Sequence, residues 1–219
     1  MTTIAIIQAR LNSTRFPRKI LAPMPDGRPM LAHVVERAQQ IQGVGQIVVA
    51  CPAGDVEEIA LGAGEHCGGG LLGVDGDESD VLRRMAKVAI LYSADVVARI
   101  TADCPFLDPH VCEYVLERFY QSGADFATND TLTTGYPDGY DVQVCTRALL
   151  ERLDREIVDP YNREHVFTSI PRDVHQLLIH PPIGVTYPDV KLSIDTPEDL
   201  ERLTRDEIVS SYSWDKTET

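Results

Sequence analysis

Positive charge is scarce in this chain: 219 residues carry 20 Lys and Arg against 34 Asp and Glu, a formal net charge of −14. With a sequence pI near 4.7, the basic footprint that nucleic-acid binding requires is missing. Long apolar runs are missing too. No stretch approaches the roughly 18–20 residues of a membrane-spanning helix. The first residues lack the basic region, apolar segment and small-residue cleavage site of a secretory signal. Cysteine is sparse and unpatterned. Cys51, Cys67, Cys104, Cys112 and Cys145 are odd in number and form no Cys-x-x-Cys, so they read as reduced thiols of a cytoplasmic protein. Neither a P-loop nor a Gly-x-Ser-x-Gly nucleophile elbow occurs. Gly68 to Gly73 matches Gly-x-Gly-x-x-Gly, but it follows a predicted helix and precedes a predicted strand. That is the reverse of the dinucleotide-binding order, and it reads as helix termination with a turn into the strand.

What is present is a regular alternation of apolar runs and amphipathic stretches. Ile4–Ile7, 46–50, a short run after Gly70, Val96–Ile100 and 126–128 read as strands. Between them, 29–42, 55–66, 79–93 and 108–122 carry helical apolar stripes, the last opened by Asp108 as N-cap and Pro109 as first helical residue. Strand and helix in turn predict an α/β fold, a doubly wound and mostly parallel sheet with helices on both faces. From about residue 129 the rhythm changes. The stretch 131–140 is rich in Gly, Pro and Thr, 140–144 alternates as a strand, and helices are expected near 147–157 and 162–170. Two late strands, 177–180 and 191–194, and a final helix from Pro197 complete the pattern. With no repeat and no linker, one domain is expected over 1–209, with 129–180 set within it and 210–219 as an aperiodic tail.

The chemistry is concentrated just after the first strand. Arg10, Arg15, Arg18 and Lys19, a fifth of all the cations, fall in one short loop with Ser13, Thr14 and Pro17. Such crowding repels itself unless an anion relieves it, and a strand end opening into a loop is where an α/β sheet presents its ligand crevice. From charge alone, a solvated basic surface loop is the equal alternative. A nucleoside triphosphate fits: Arg clamps phosphate oxygens in a fork, Lys adds a point charge, and backbone N–H groups near Ser13 would complete the cradle. The order Arg10, Ser13, Thr14, Arg15, Pro17, Lys19 resembles the opening loop of the CMP-sugar synthetases, nearest to the spore-coat-polysaccharide cytidylyltransferases and also like 3-deoxy-manno-octulosonate cytidylyltransferase.

Three later segments carry the same resemblance. Arg99-Ile-Thr101-Ala-Asp103-Cys104-Pro105 places a carboxylate at the end of a central strand, and resembles the family's metal-binding Asp turn; a turn aspartate before proline is the plainer alternative. Ser193-Ile-Asp195-Thr196-Pro197-Glu198-Asp199 is a well-formed helix start that leaves Asp195 unexplained, and a similar segment supplies a second metal ligand in octulosonate synthetases. Tyr140-Asp141-Val-Gln143 and Arg163-Glu164-His165-Val166 resemble the pair that surrounds the sugar, departing at Gln143, Cys145 and Phe167, where an acid, an aromatic and a Thr are more usual. Asp75-Gly-Asp77-Glu-Ser79-Asp80 fails as a calcium loop and reads as an exposed turn that caps the next helix through Ser79 or Asp77. The segment after it resembles one near the nucleotide.

The resemblance thus implies a nucleotidyltransferase fold and a cytosine nucleotide, CTP, with a sugar, an acidic one, as partner substrate, for surface polysaccharide synthesis. It implies Ala9, Arg10, Asn12, Ser13, Arg15, Lys19, Asp80, Arg83 and Thr101 at the nucleotide, with Arg10, Arg15 and Lys19 catalytic. Asp141, Arg163, Glu164 and His165 would contact the sugar, from a substrate-side segment over 129–180, and Asp103 and Asp195 would bind Mg²⁺. A homodimer is left open. Two other readings stand beside it: a metal-dependent glycosyltransferase using Asp75 and Asp77, and a non-catalytic nucleotide- or sugar-binding relative.

Overall fold

The computed structural model describes residues 1–129, 131–187 and 189–205; the tail at 210–219 lies outside them. A seven-stranded sheet forms the centre, in the order β3-β2-β1-β4-β6-β5-β7. Its strands are β1 (Thr3–Gln8), β2 (Gln46–Pro52), β3 (Leu71–Val74), β4 (Val96–Thr101), β5 (Phe126–Thr128), β6 (Gln143–Thr146) and β7 (Gln176–Leu178). The pairs β1–β2, β1–β4, β2–β3 and β5–β7 are parallel, while β6 runs antiparallel to both β4 and β5. The sheet is therefore mixed but mostly parallel. The single reversal follows from the changed rhythm after residue 129, where a loop and a short helix, α5 (Thr131–Thr134), replace a full crossover helix.

Alternation along each strand sorts side chains to two faces. Ala5 and Ile7 of β1 with Ala98 and Ile100 of β4 meet α1 (Met30–Ala38), α2 (Val56–Ala63) and α4 (Pro109–Ser122). Ile4 and Ile6 with Val97 meet α3 (Val81–Leu91) and α6 (Arg147–Glu156). Both faces of β1 are fully buried, which is why its apolar run is continuous. Each large side chain buried here contributes about 1.5–3 kcal/mol. A third cluster, with Met24, Met30, Tyr136, Tyr140, Leu192 and Ile194, ties the later part of the chain to the first half.

Most expected elements are present. Asp108 caps α4 by accepting from His110 N at 2.8 Å, and Gly123 ends it at φ 63°. Gly68 and Gly69 have positive φ and lead into β3, as the glycine-rich stretch implied. Three expectations change. Residues 191–194 form no strand, only an isolated bridge from Lys191 to Asp138. The helix expected at 162–170 is shorter and earlier, α7 (Pro160–His165), because Asp159 caps it from Asn162 N and Val166 breaks it. The cap of α3 is Asp80, not Ser79 or Asp77: its carboxylate accepts from Arg83 N at 3.1 Å.

Candidate active site

The cationic loop is folded by its own backbone. Leu11 O accepts from Ser13 N at 3.1 Å and Arg18 N at 2.8 Å, pinching residues 11–18 into a closed loop. The buried Asp55 anchors its start by accepting from Leu11 N at 2.9 Å. Arg18 takes a left-handed conformation, φ 59°, and turns the chain into a short 3₁₀ segment, Lys19–Leu21, that carries Lys19 back over the strand ends. Ser13 N is engaged within the loop, and the Ser13 residue lines the cavity.

Asp195 is brought to this loop by backbone contacts from three parts of the chain. Asp138 O accepts from Leu192 N at 2.6 Å and Ser193 N at 3.2 Å, and Asp103 O accepts from Ile194 N at 2.9 Å. The approach requires Gly139: at φ 106° a Cβ there would stand 2.7 Å from Ser193 N. The chain then enters α8 (Pro197–Arg205) through a reciprocal cap. Thr196 Oγ1 accepts from Asp199 N at 3.2 Å, and Asp199 Oδ2 accepts from Asp195 N at 3.0 Å and Thr196 N at 3.1 Å.

The result is a set of ion pairs around Lys19. Its ammonium donates to Asp103 Oδ2 at 2.8 Å, to Asp195 Oδ1 at 3.5 Å and to Ile194 O at 3.1 Å. Two carboxylates that share one ammonium lie no farther apart than the sum of those two contacts. Arg15 reaches Asp195 Oδ1 at 2.8 Å, Lys191 reaches Asp195 Oδ2 at 3.1 Å, and Arg10 pairs with Glu164 at 2.9 Å. Burial works to raise the Asp103 carboxyl, but the Lys19 charge and hydrogen bonds hold it below the ordinary value of 3.8. Burial pushes the neighbouring Cys104 thiol well up, so Cys104 is inert as a nucleophile.

These groups line a cavity of about 310 Å³ at the carboxyl ends of β1 and β4. Of the residues expected at the site, Ala9, Arg10, Ser13, Arg15, Lys19, Thr101, Asp103, Asp195, Glu164 and His165 meet there. Five others do not line it. Asn12 turns away to Glu78 Oε2 at 2.9 Å. Asp80 caps α3 and pairs with Arg163 Nε at 2.9 Å. Arg163 also donates to Asp154 Oδ1 at 2.5 Å and to Ile157 O at 2.6 Å, which makes it a brace between α3, α6 and α7. Arg83 points to solvent, and Asp141 accepts from Gly139 N at 3.0 Å within its own loop. Asp75 and Asp77 are exposed and outside the cavity, so nothing here favours the Asp-x-Asp glycosyltransferase reading.

Two arginines that lie within the segments of resemblance, without a role assigned from sequence, also line the cavity. Arg84 is 4% exposed, one helical step from Arg83 and inside the apolar stripe of α3. Its Nη2 donates to Glu78 O at 3.1 Å, while its buried Nε has no partner among the described residues. Arg99 is the one charged residue of β4. In both cases the signal was available: a cation interrupting an otherwise apolar pattern. Between α7 and the core, Val166 holds φ 62° and ψ −59°, closing a γ-turn from Phe167 N to His165 O at 2.7 Å. Such a conformation costs a β-branched residue about 1–3 kcal/mol, and full burial of Val166 beside Phe167 keeps it there. The turn immediately follows Glu164 and His165, and the His165 ring packs on Tyr161 with centroids 4.4 Å apart.

A family model described as cytidylyltransferase matches residues 4–210. The spore coat polysaccharide biosynthesis protein SpsF of Bacillus subtilis is 30% identical over 206 residues, covering 90% of this chain and 83% of its own. Among solved structures, a cytidylyltransferase from Leptospira borgpetersenii superposes with a TM-score of 0.81 at 28% identity, covering 93% of this chain and 85% of that one. A CMP:2-keto-3-deoxy-manno-octonic acid synthetase complexed with CTP shares the fold at a TM-score of 0.67 and 19% identity, covering 93% and 97%. A match along nearly the whole length, onto a sheet whose strand ends carry the expected cations and carboxylates, makes this protein a nucleotidyltransferase: the chain belongs to the cytidylyltransferase family.

Proposed function

We propose that this enzyme transfers the cytidylyl group of CTP to a hydroxyl of an acidic sugar, giving a CMP-sugar and pyrophosphate for surface polysaccharide synthesis. The observation that carries the reading is Lys19 Nζ, held between Asp103 and Asp195 beneath a loop of arginines at the carboxyl ends of β1 and β4. The sugar oxygen attacks the α-phosphorus, a new P–O bond forms, the bond to the bridging oxygen breaks, and pyrophosphate leaves with its electron pair. The hydroxyl proton passes to solvent of the open cleft. Displacement of this kind needs alignment and charge neutralisation more than a covalent intermediate. Arg10, Ser13, Arg15 and Lys19 bind the triphosphate, and Arg15 and Lys19 take the charge that grows on the leaving group. Arg84 faces the nucleotide from the β2 side, and the segment 129–180, with Glu164 and His165 nearby, supplies the acceptor side.

The carboxylate pair also fits Mg²⁺. Asp103 and Asp195 already converge on one cation, Lys19, and no group of three His, Cys, Asp or Glu side chains able to hold a metal occurs among the described residues. Mg²⁺ suits such a site, since it is held by one or two carboxylates with phosphate oxygens and water. Bound there, it would neutralise triphosphate charge. A cytoplasmic setting agrees with five free, buried thiols.

Pyrophosphate release measured with each of the four nucleoside triphosphates, against a panel of sugar acids, tests the reading. CTP with at least one sugar acid should be turned over in a divalent-cation-dependent manner. Equal rates with all four nucleotides, or no release with any acceptor, would overturn it.

A further inference from the structure

Two arginines of the cavity have no carboxylate within ion-pair distance among the described residues, and they lie on opposite sides of β1. Arg84 is on the β2 side, desolvated by burial, with Cys51, Arg10, Glu78 and Asp80 acting on it only through space. Arg99 is on the β6 side. Strand alternation places it on the same sheet face as Val97, and the register sets it directly opposite Gln143. Gln8 ends β1 on that face. Arg99 Nε donates to Gln8 Oε1 at 2.7 Å, and Nη1 donates to Gln143 Oε1. Nη2 makes no hydrogen bond among the described residues, and Arg99 lines the cavity.

The two props are neutral amides. They fix the plane of the guanidinium without cancelling its charge, whereas a carboxylate at either position would do both. Asp103 and Asp141 act on Arg99 only through space; burial pulls its pKa down to about 10, so it stays charged at neutral pH. A desolvated cation held by neutral oxygens gains most from an anionic partner, and its outer edge, Nη1 with Nη2, matches the fork of a carboxylate. The triphosphate has its own cations in the loop at Arg10, Arg15 and Lys19. Arg99 instead adjoins β6, in the segment assigned above to the acceptor.

We propose that Arg99, propped by Gln8 and Gln143, receives the carboxylate of the acceptor sugar, and that Gln143 sets this specificity by leaving the arginine's charge uncancelled. The proposal rests on the cytidylyltransferase reading and goes beyond it by naming the residue that distinguishes acidic from neutral acceptors.

Gln143→Glu tests it, because the change is nearly isosteric and puts a carboxylate against Arg99. The probes are 3-deoxy-manno-octulosonate and sialic-type sugar acids, each beside its carboxamide, with CTP binding measured by calorimetry. The wild type should favour acid over amide by at least about tenfold in kcat/KM. Gln143→Glu should raise the KM of the acid by about tenfold and level the two, while CTP affinity moves by less than about twofold. That unchanged CTP affinity also reports an intact fold. Arg99→Lys should raise the acceptor KM in the same direction, since the point charge loses the fork. Wild-type turnover of an acid with KM unaltered by Gln143→Glu would overturn this proposal alone. So would a loss of CTP affinity with acceptor KM unchanged, which would give Arg99 to the nucleotide. Turnover of neutral sugars only would overturn it together with the acidic acceptor.

Discussion

At the mouth of the cavity the cations come with acids attached, whereas the two arginines of its floor are held by neutral oxygens. Lys19, Arg15 and Arg10 each contact Asp103, Asp195 or Glu164, and the arginines are well exposed. The two exposed arginine pairs contribute little to stability, about 0–1 kcal/mol, whereas Lys19, 12% exposed, is held between two partly buried carboxylates. Arg84 and Arg99 have only carbonyl or amide oxygens as close partners. Arg84 is buried and Arg99 half-buried; a cation drawn out of water without a close carboxylate lowers folding stability and raises the gain from an anionic ligand. The difference teaches that one cavity manages charge in two ways: cations paired with carboxylates, and arginines held by neutral oxygens; the proposals above give the first to the triphosphate and Arg99 to the acceptor.

The largest expected effect is on the mouth's carboxylates. Asp103→Asn and Asp195→Asn should each lower metal-dependent turnover more than tenfold, about 1.4 kcal/mol or more of transition-state stabilisation. The double change Asp75→Asn with Asp77→Asn should leave turnover within about twofold, since both residues are exposed and outside the cavity. The opposite pattern in steady-state rates would move the chemistry to the Asp-x-Asp turn.

Stability separates mouth from floor. Lys19→Met leaves Asp103 and Asp195 facing each other and should cost about 1–3 kcal/mol, a fall in Tm of roughly 2–10 °C for a chain of this size. Arg84→Met removes a buried cation with an unpartnered Nε, so Tm should hold or rise while CTP affinity drops about tenfold. Parallel thermal scans with and without CTP check both; equal destabilisation by the two variants would break the comparison. Acid sharpens it. The Asp103 carboxyl is held below its ordinary 3.8, so its pairing adds stability that is complete above that pH and lost as pH falls through the lowered value. Wild type and Lys19→Met should therefore converge in acid.

Base selection should be of similar or smaller size: CTP preferred over UTP and ATP by about tenfold in turnover, or about 1.4 kcal/mol. Among the cavity residues the smallest loss belongs to Arg15, whose side chain is 66% exposed. Arg15→Ala should weaken CTP binding only a few-fold, and the deficit should shrink at about 0.5 M salt as screening shortens. A salt-insensitive deficit would place Arg15 deeper in catalysis than its exposure suggests.

How far the site was legible can be judged residue by residue. The cationic loop announced itself because four of twenty cations sit in one short segment after a strand. Asp103 stood at a strand end before proline. Asp80 and Arg83 were assigned to the nucleotide from a likeness of sequence, but helix geometry uses Asp80 as a cap and brace and turns Arg83 to solvent, bringing Arg84 inward instead. Residues 191–194 looked like a strand from their apolar alternation, yet their N–H groups are taken by Asp138 O and Asp103 O across a loop, with no neighbouring strand to form a ladder.

The sequence by itself determined the alternation of strands and helices, the caps at Asp108 and Thr196, and the loop that follows β1. All of these rest on period, punctuation and local charge, which act over a few residues. Only the tertiary structure decided that Asp195 meets Lys19 across 176 residues of chain, by a backbone approach that Gly139 permits. It also decided that Arg99 faces two glutamines instead of a carboxylate. Burial and partner choice for a charged side chain depend on which strands become neighbours, and β6 reaches β4 only by the antiparallel return that local sequence does not encode.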